Sequence, residues 1–164
     1  MSDSSWIYNE KIIKRLEKEV ELLKNESGAT AAFLVDKNGQ PVATSTSVSE
    51  YDTTSIAALV AGNVAATDGL AKLLGEKEFS LLFHEGENEH VHISLIFNVI
   101  ILVVIFDEST SLGLIRLRVK KFITKIEEFL RSSFQDTDND PKNIFGDITD
   151  DEIEGLFDPK ESEQ

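Results

Sequence analysis

Residues 52–75 read DTTSIAALVAGNVAATDGLAKLLG, and the periodicity of this stretch sets the architecture around it. At 3.6 residues per turn, Ile56, Leu59, Val60, Leu70 and Leu74 gather in one arc, the spacing of a helix that lays its large apolar side chains on a core. The opposite arc is not polar: Ala58, Gly62, Ala65 and Gly69 recur at i, i+4, i+7 and i+11, flanked by Ala61 and Lys72. Glycine inside a helix costs about 0.8–1 kcal/mol relative to alanine, and a solvated face would carry Glu or Lys instead. A two-layer domain covers only one side of such a helix. The bald side is therefore expected to meet another polypeptide: a second copy of the same helix, since small residues let backbones approach closely, a different protein, or both on a composite platform.

Upstream, residues 3–24 place Ile13, Leu16, Val20 and Leu23 at helical spacing. Ala29 to Val35 and Pro41 to Thr46 are two extended runs joined through Asn38-Gly39, the dipeptide that favours a tight hairpin. The bald helix stops at Gly75. Downstream, Phe79 to Phe83 and Val91 to Phe97 read as strands around a turn at Glu85-Gly86-Glu87-Asn88, with Val91, Ile93, Leu95 and Phe97 on one side. Val99 to Phe106 is almost wholly aliphatic, as a central strand covered on both faces must be. A last helix follows Asp107-Glu108-Ser109, carrying Leu112, Ile115, Val119, Phe122, Ile126 and Phe129 down one flank. The order is α-β-β-α-β-β-β-α.

No cysteine occurs, which removes disulfides and thiolate chemistry and suits a reducing compartment. The start MSDSSWIYNEK lacks the basic-then-apolar pattern of a secretion signal, and no apolar run is read as reaching the roughly 20 residues that span a bilayer; a cytoplasmic location without membrane insertion is expected. The net charge of −14 disfavours nucleic acid. Residues 135–164 hold eleven Asp or Glu against two Lys, so the acidity belongs mainly to a tail. Residues 1–134 form the expected domain. Within the tail, 135–146 reads as a flexible acidic connector. Thr149-Asp150-Asp151-Glu152 then has the form of a capping box, followed by Ile153, Leu156 and Phe157 on one side. Residues 149–157 make a helix too short to stand alone, a docking peptide with Ile148 as a staple.

None of the common phosphate, dinucleotide, zinc-protease or acyl-transfer motifs occurs, and neither a cofactor nor catalysis by the chain itself is expected. His90 and His92 point the same way on a regular strand, near His84; a half-exposed polar face is the plainer reading of that pair than a metal site. Asp136, Asp138, Asp140 and Asp147 echo a calcium loop, but Pro141 stands where the turn glycine belongs and a solvated linker fits the composition better. Arg116, Arg118, Lys120, Lys121 and Lys125 form a basic stripe on the last helix, read as solvated, with Glu127 and Glu128 as neighbours of Lys125. Trp6 reads as a core or helix-end aromatic.

The element order, together with FLVDKNGQ (33–40), residues 52–79, FHEG (83–86), LVVIFDESTSLGLIRLRVKK (102–121) and the terminal ITDDEIEGLF, resembles the Roadblock family, the small domain shared with dynein light chains, in its bacterial polarity branch. The resemblance covers residues 6–134 almost continuously. It implies a Roadblock-like α/β three-layer fold, a five-stranded antiparallel sheet with helices on both faces. It implies a homodimer that binds a Ras-like small GTPase of the MglA type in its GTP form and activates GTP hydrolysis, in control of cell polarity and motility, with concentration at a cell pole. The GTPase would sit across two subunits, on Ala61, Ala65, Gly69 and Lys72, with Thr53 and Thr54 near the helix start. No arginine finger is implied: the activator reshapes the GTPase so that its own Arg and Gln reach the γ-phosphate. Ile148, Ile153, Leu156 and Phe157 would grip a second surface of the same GTPase. The alternative within the family is a scaffold that assembles a motor or signalling complex without touching hydrolysis.

Overall fold

The computed structural model describes residues 9–45 and 51–135. Trp6, Thr46, the calcium-loop acids and Ile148, Ile153, Leu156 and Phe157 lie outside them. Helix α1 (Glu10–Ser27) starts where the Asn9 side chain accepts from the Lys11 and Ile12 amides and ends at Gly28, whose φ of 71° is the left-handed cap glycine supplies cheaply. The helix thus begins later than its sequence pattern suggests. Its buried stripe is Ile12, Leu16, Val20 and Leu23, with Ile12 taking the place expected of Ile13.

Strands β1 (Ala31–Asp36) and β2 (Pro41–Thr44) form the hairpin through Asn38-Gly39, with Gly39 at φ 86° and the Asp36 carboxylate accepting from the Asn38 and Gln40 amides. After α2 (Thr53–Leu74) come β3 (Leu81–Glu85), β4 (His90–Ile96), β5 (Ile100–Phe106) and α3 (Leu112–Gln135). The sheet is antiparallel in the order β2-β1-β5-β4-β3, so the aliphatic run of β5 is central, as its composition requires.

Strand alternation divides the core in two. Leu34, Leu102, Val104 and Phe106 face α1 and α3, whose Leu16, Val20, Ile115, Val119 and Ile126 cover them. Phe33, Val35, Ile101, Val103 and Ile105 face α2, the one described helix on that side, through Ala57, Val60, Ala61 and Val64. Two helices cover one face and one covers the other. Phe97, expected beside Val91, Ile93 and Leu95, instead turns to the α1/α3 side. It sits with Asn98 in the β4–β5 turn at positive φ (52° and 55°), stacked under the Arg131 guanidinium at 5.6 Å. Alternation ends where the strand does.

Candidate partner-binding site

The Asp52 carboxylate caps α2 by accepting from the Ser55 amide at 3.1 Å and the Ser55 hydroxyl at 2.6 Å, and these bonds hold its pKa below the usual carboxylate range. Gly75, at φ 78°, closes the other end. Between the caps the helix has three faces, not the expected two. The buried face is made of small residues, Ala57, Val60, Ala61, Val64 and Ala71. Of the stripe expected in the core only Val60 is buried and Ile56 half-buried; Leu59 is 74% exposed, and Leu70 and Leu74 are exposed as well. The sequence reading placed the core where the largest side chains cluster. The sheet is instead approached by alanine and valine, which lets α2 lie close, and leaves leucines outward.

The bald strip does face out. Ala58, Gly62, Ala65 and Gly69 are not buried, and an added Cβ at Gly62 or Gly69 would meet nothing within 4 Å. Lys72 and Thr54 are exposed beside it and Thr53 is half-buried. Ala61 is a correction: at 9% exposure it faces the sheet, so it contributes to packing and not to an accessible surface. Gly39 has an internal reason to lack a side chain, because a Cβ there would lie 3.1 Å from the Ala58 Cα. The β1–β2 turn therefore rests on α2 beside Ala58 and Ala61. No such neighbour explains the two glycines.

The same turn disposes of Asp68. Its carboxylate meets Lys37 Nζ at 3.7 Å, and that ammonium also donates to Asn98 Oδ1 at 2.6 Å, so the charge next to Gly69 is turned toward the hairpin. The other flank of α2 points toward β4 and β3. Tyr51 donates to Glu89 Oε1 at 2.8 Å, and Ile56 packs on the cluster that includes the half-buried Leu82, Val91 and Leu95. Beyond Ile56 the sheet face is uncovered by any described helix. Leu59, Leu70, Leu73 and Leu74 are exposed on α2, and β3 is a sheet edge with Leu81 exposed. Leu59, Leu70 and Leu74 are the residues that the sequence periodicity places in the core and the structure leaves exposed; only the burial of a small-residue face could have revealed them.

By length and composition α2 would suffice to cross a membrane, with a mean hydropathy of 1.3 over its most apolar eighteen residues, contrary to the expectation that no such run exists. Its place against the sheet accounts for one face of it. His90 and His92 share a strand face as expected, opposite Phe106 and Val104, but their surroundings differ. His90 accepts from the Gly86 amide and packs on Phe83 and Phe106. His92 is sealed under α3, and no group of three or more metal-ligating side chains occurs among the described residues.

The Roadblock/LC7 domain model matches residues 15–106, from α1 to the end of β5. The chain belongs to the Roadblock/LC7 family. Among solved structures it is similar to Myxococcus xanthus MglB, at 44% identity over 72% of this chain and 96% of that one, with a TM-score of 0.69. It is also similar to the gliding protein MglB of Thermus thermophilus, at 32% identity over 73% and 91% with a TM-score of 0.67. An MglB with a tetrameric arrangement matches at 31% identity over 74% and 91%, with a TM-score of 0.68. No curated protein matches the chain.

Proposed function

We propose that this chain is a homodimeric, non-enzymatic activator of an MglA-like small GTPase, acting in the cytoplasm in cell polarity and motility. The observation that carries the reading is the outward surface of α2: two mid-helix glycines with open space above them, next to leucines left exposed among the described residues. The similarity to MglB over most of both chains supports the partner class.

The two flanks suggest a division of labour. A second copy brings its own α2 over the uncovered half of the sheet, against Leu59, Leu70 and Leu74, and supplies the helix that this face lacks; a two-fold axis makes the contact reciprocal. The strip of Ala65, Gly69 and Lys72, with Gly62 and Thr54 at its margins, then remains open on each subunit. The GTPase lies flush on the pair of strips, and the chain contributes shape and backbone contact, not a catalytic side chain. Activation on this reading is a population shift of the GTPase toward its hydrolytic conformation.

Single-turnover GTP hydrolysis by a cognate MglA-like GTPase tests it. Saturating wild-type protein accelerates the reaction, and Gly69→Arg, which sets a long cation on the open strip, abolishes the acceleration while the chain stays folded. Binding without acceleration would replace activation by scaffolding. Undiminished acceleration by Gly69→Arg would remove the strip from the contact.

A further inference from the structure

On the opposite side of the molecule, α1 and α3 leave a cleft of about 210 Å³ lined by Glu19, Leu22, Leu23, Glu26, Arg118, Lys121, Phe122 and Lys125. Its floor is apolar, with Phe122 and Leu23 buried and Leu22 left 41% exposed. Its rim is cationic. Lys125 meets Glu19 Oε2 at 2.7 Å and Arg118 meets Glu26 at 3.8 Å, so part of the basic stripe pairs with α1 and not with Glu127 and Glu128, while Arg116 and Lys120 are exposed. Two groups remain unsatisfied: Lys121 has no ion pair among the described residues, and the buried Arg118 Nε has no acceptor. With Arg15 on Glu19, four cations here face two carboxylates in a chain whose net charge is −14.

We infer that this cleft holds the chain's own terminal segment, residues 148–157, ITDDEIEGLF. The segment combines what the cleft lacks: Asp150, Asp151, Glu152 and Glu154 for the cationic rim, and Ile153, Leu156 and Phe157 for the exposed Leu22 and its surroundings. Geometry permits it. From Phe122 to the end of α3 at Gln135 is about 20 Å at 1.5 Å per residue, whereas residues 136–148 span up to roughly 43 Å at 3.3 Å per residue. Tethering gives the segment a millimolar-range effective concentration, so a weak contact suffices. The contact is confined to a face remote from α2 and holds whether or not the strip on α2 binds a GTPase. Docked there, the segment is withheld from any other surface, and an acidic or cationic competitor sets how much of it is free.

The chain has no cysteine, so Ser162→Cys gives a single site for a nitroxide label in the full-length protein. The readout is relaxation enhancement at backbone amides. The expected result is selective broadening of Leu22, Lys121 and Lys125 several-fold above that at Lys72, reduced at about 1 M salt, where the Debye length falls to about 3 Å. Lys121→Glu, an exposed change that leaves the melting temperature unaltered, and Phe157→Ser in the label-bearing chain should each abolish the selectivity. Uniform broadening, broadening centred on α2, or insensitivity to Lys121→Glu would overturn the inference. So would selective broadening in ¹⁵N-labelled unmodified protein mixed with spin-labelled ¹⁴N protein, which would assign the segment to another copy.

Discussion

Replacing Gly62 and Gly69 together by alanine sets monomer stability against partner contact. Each glycine is within α2, and a methyl group at either position meets nothing of its own subunit within 4 Å. The methyl therefore costs no internal packing, and the helix gains about 0.8–1 kcal/mol per site from the lower backbone entropy of the unfolded chain. The two sites are seven residues apart, about 10.5 Å along the axis, far enough for the effects to add, so the isolated chain should gain about 2 kcal/mol. For a chain of this size that is roughly 4–8 °C in Tm. Urea and thermal unfolding at high dilution, where self-association is weakest, read the gain. On a surface that must lie flush against foreign backbone, the same two methyls hold the partner off by about 1.5 Å, one carbon–carbon bond. Affinity for the GTPase, titrated with its GTP-analogue complex, should then fall by tenfold or more. A variant that is more stable and binds and activates as well as wild type would refute the claim that the glycines serve a contact. A variant less stable at high dilution would show instead that they serve the monomer.

Glu19 is buried with Lys125 and Arg15 as partners; burial acts to raise its pKa, but the Lys125 and Arg15 contacts together hold it below the ordinary 4.5. Its contribution is therefore present above pH 4.5 and is lost as pH falls through the lower folded value. Lys125→Met should cost about 1–3 kcal/mol by urea unfolding at pH 7, and progressively less as pH is lowered through the folded value and Glu19 takes up its proton; a cost that does not change with falling pH would contradict the pairing. His92 shifts stability in the same direction for a different reason: burial, then the charge of Arg116, hold its pKa below 6.5, so its folded form resists protonation. The unfolded chain binds a proton below pH 6.5 that the folded chain refuses, and stability should fall as pH drops from 6.5 toward the folded value, then level off. His92→Gln should flatten that part of the profile in melts between pH 7.5 and 5; an unchanged slope would assign it to other groups.

The element order was legible because each element carries its own period: alternation in Val91 to Leu95, the unbroken aliphatic run of β5, helical spacing in α1 and α3, and Asn-Gly at the hairpin. What failed in α2 was a tacit equation of large with buried. Ala57, Ala61 and Ala71 give no hydrophobic signal that outweighs Leu59 and Leu70, yet they are buried with Val60 and Val64, with Ala57 and Ala61 packed in the sheet's cluster. Gly39 shows why small residues are needed, since its turn approaches within contact of Ala58 and Ala61. That approach joins residues far apart in sequence, and no local pattern encodes it. The open strip was legible for a different reason: mid-helix glycine is costly, and the cost has no local return. Ala61 was assigned to the strip because position on a helical wheel gives an angle and not the direction of the sheet. The ion pairs between α3 and α1 were missed for the same reason, because Lys125 has acids close by on its own helix while its actual partner, Glu19, lies on another.

The exposed leucines bear on how the two flanks of α2 share their work. Burying the exposed remainder of Leu59, Leu70, Leu73 and Leu74, which are 74%, 51%, 86% and 63% exposed, contributes roughly 4–8 kcal/mol per chain and twice that for a reciprocal pair. Association costs about 4–15 kcal/mol in lost freedom before any contact counts, so the leucine flank used once, against a partner that contributes little apolar surface, barely holds, whereas used twice across a two-fold axis it leaves a stable surplus. The Gly and Ala strip has no comparable store: alanine methyls and bare backbone give close approach but little buried area. On the proposed reading, the strong, permanent contact therefore belongs to the leucines and the uncovered half of the sheet, and the weak, switchable one to the glycines. A regulator needs both, a lasting pair and a partner it can release. Leu59→Lys should accordingly dissociate the pair in sedimentation, whereas Gly69→Arg should leave the pair intact and lose only the GTPase; if both changes split the dimer, the two flanks form a single interface and the division fails.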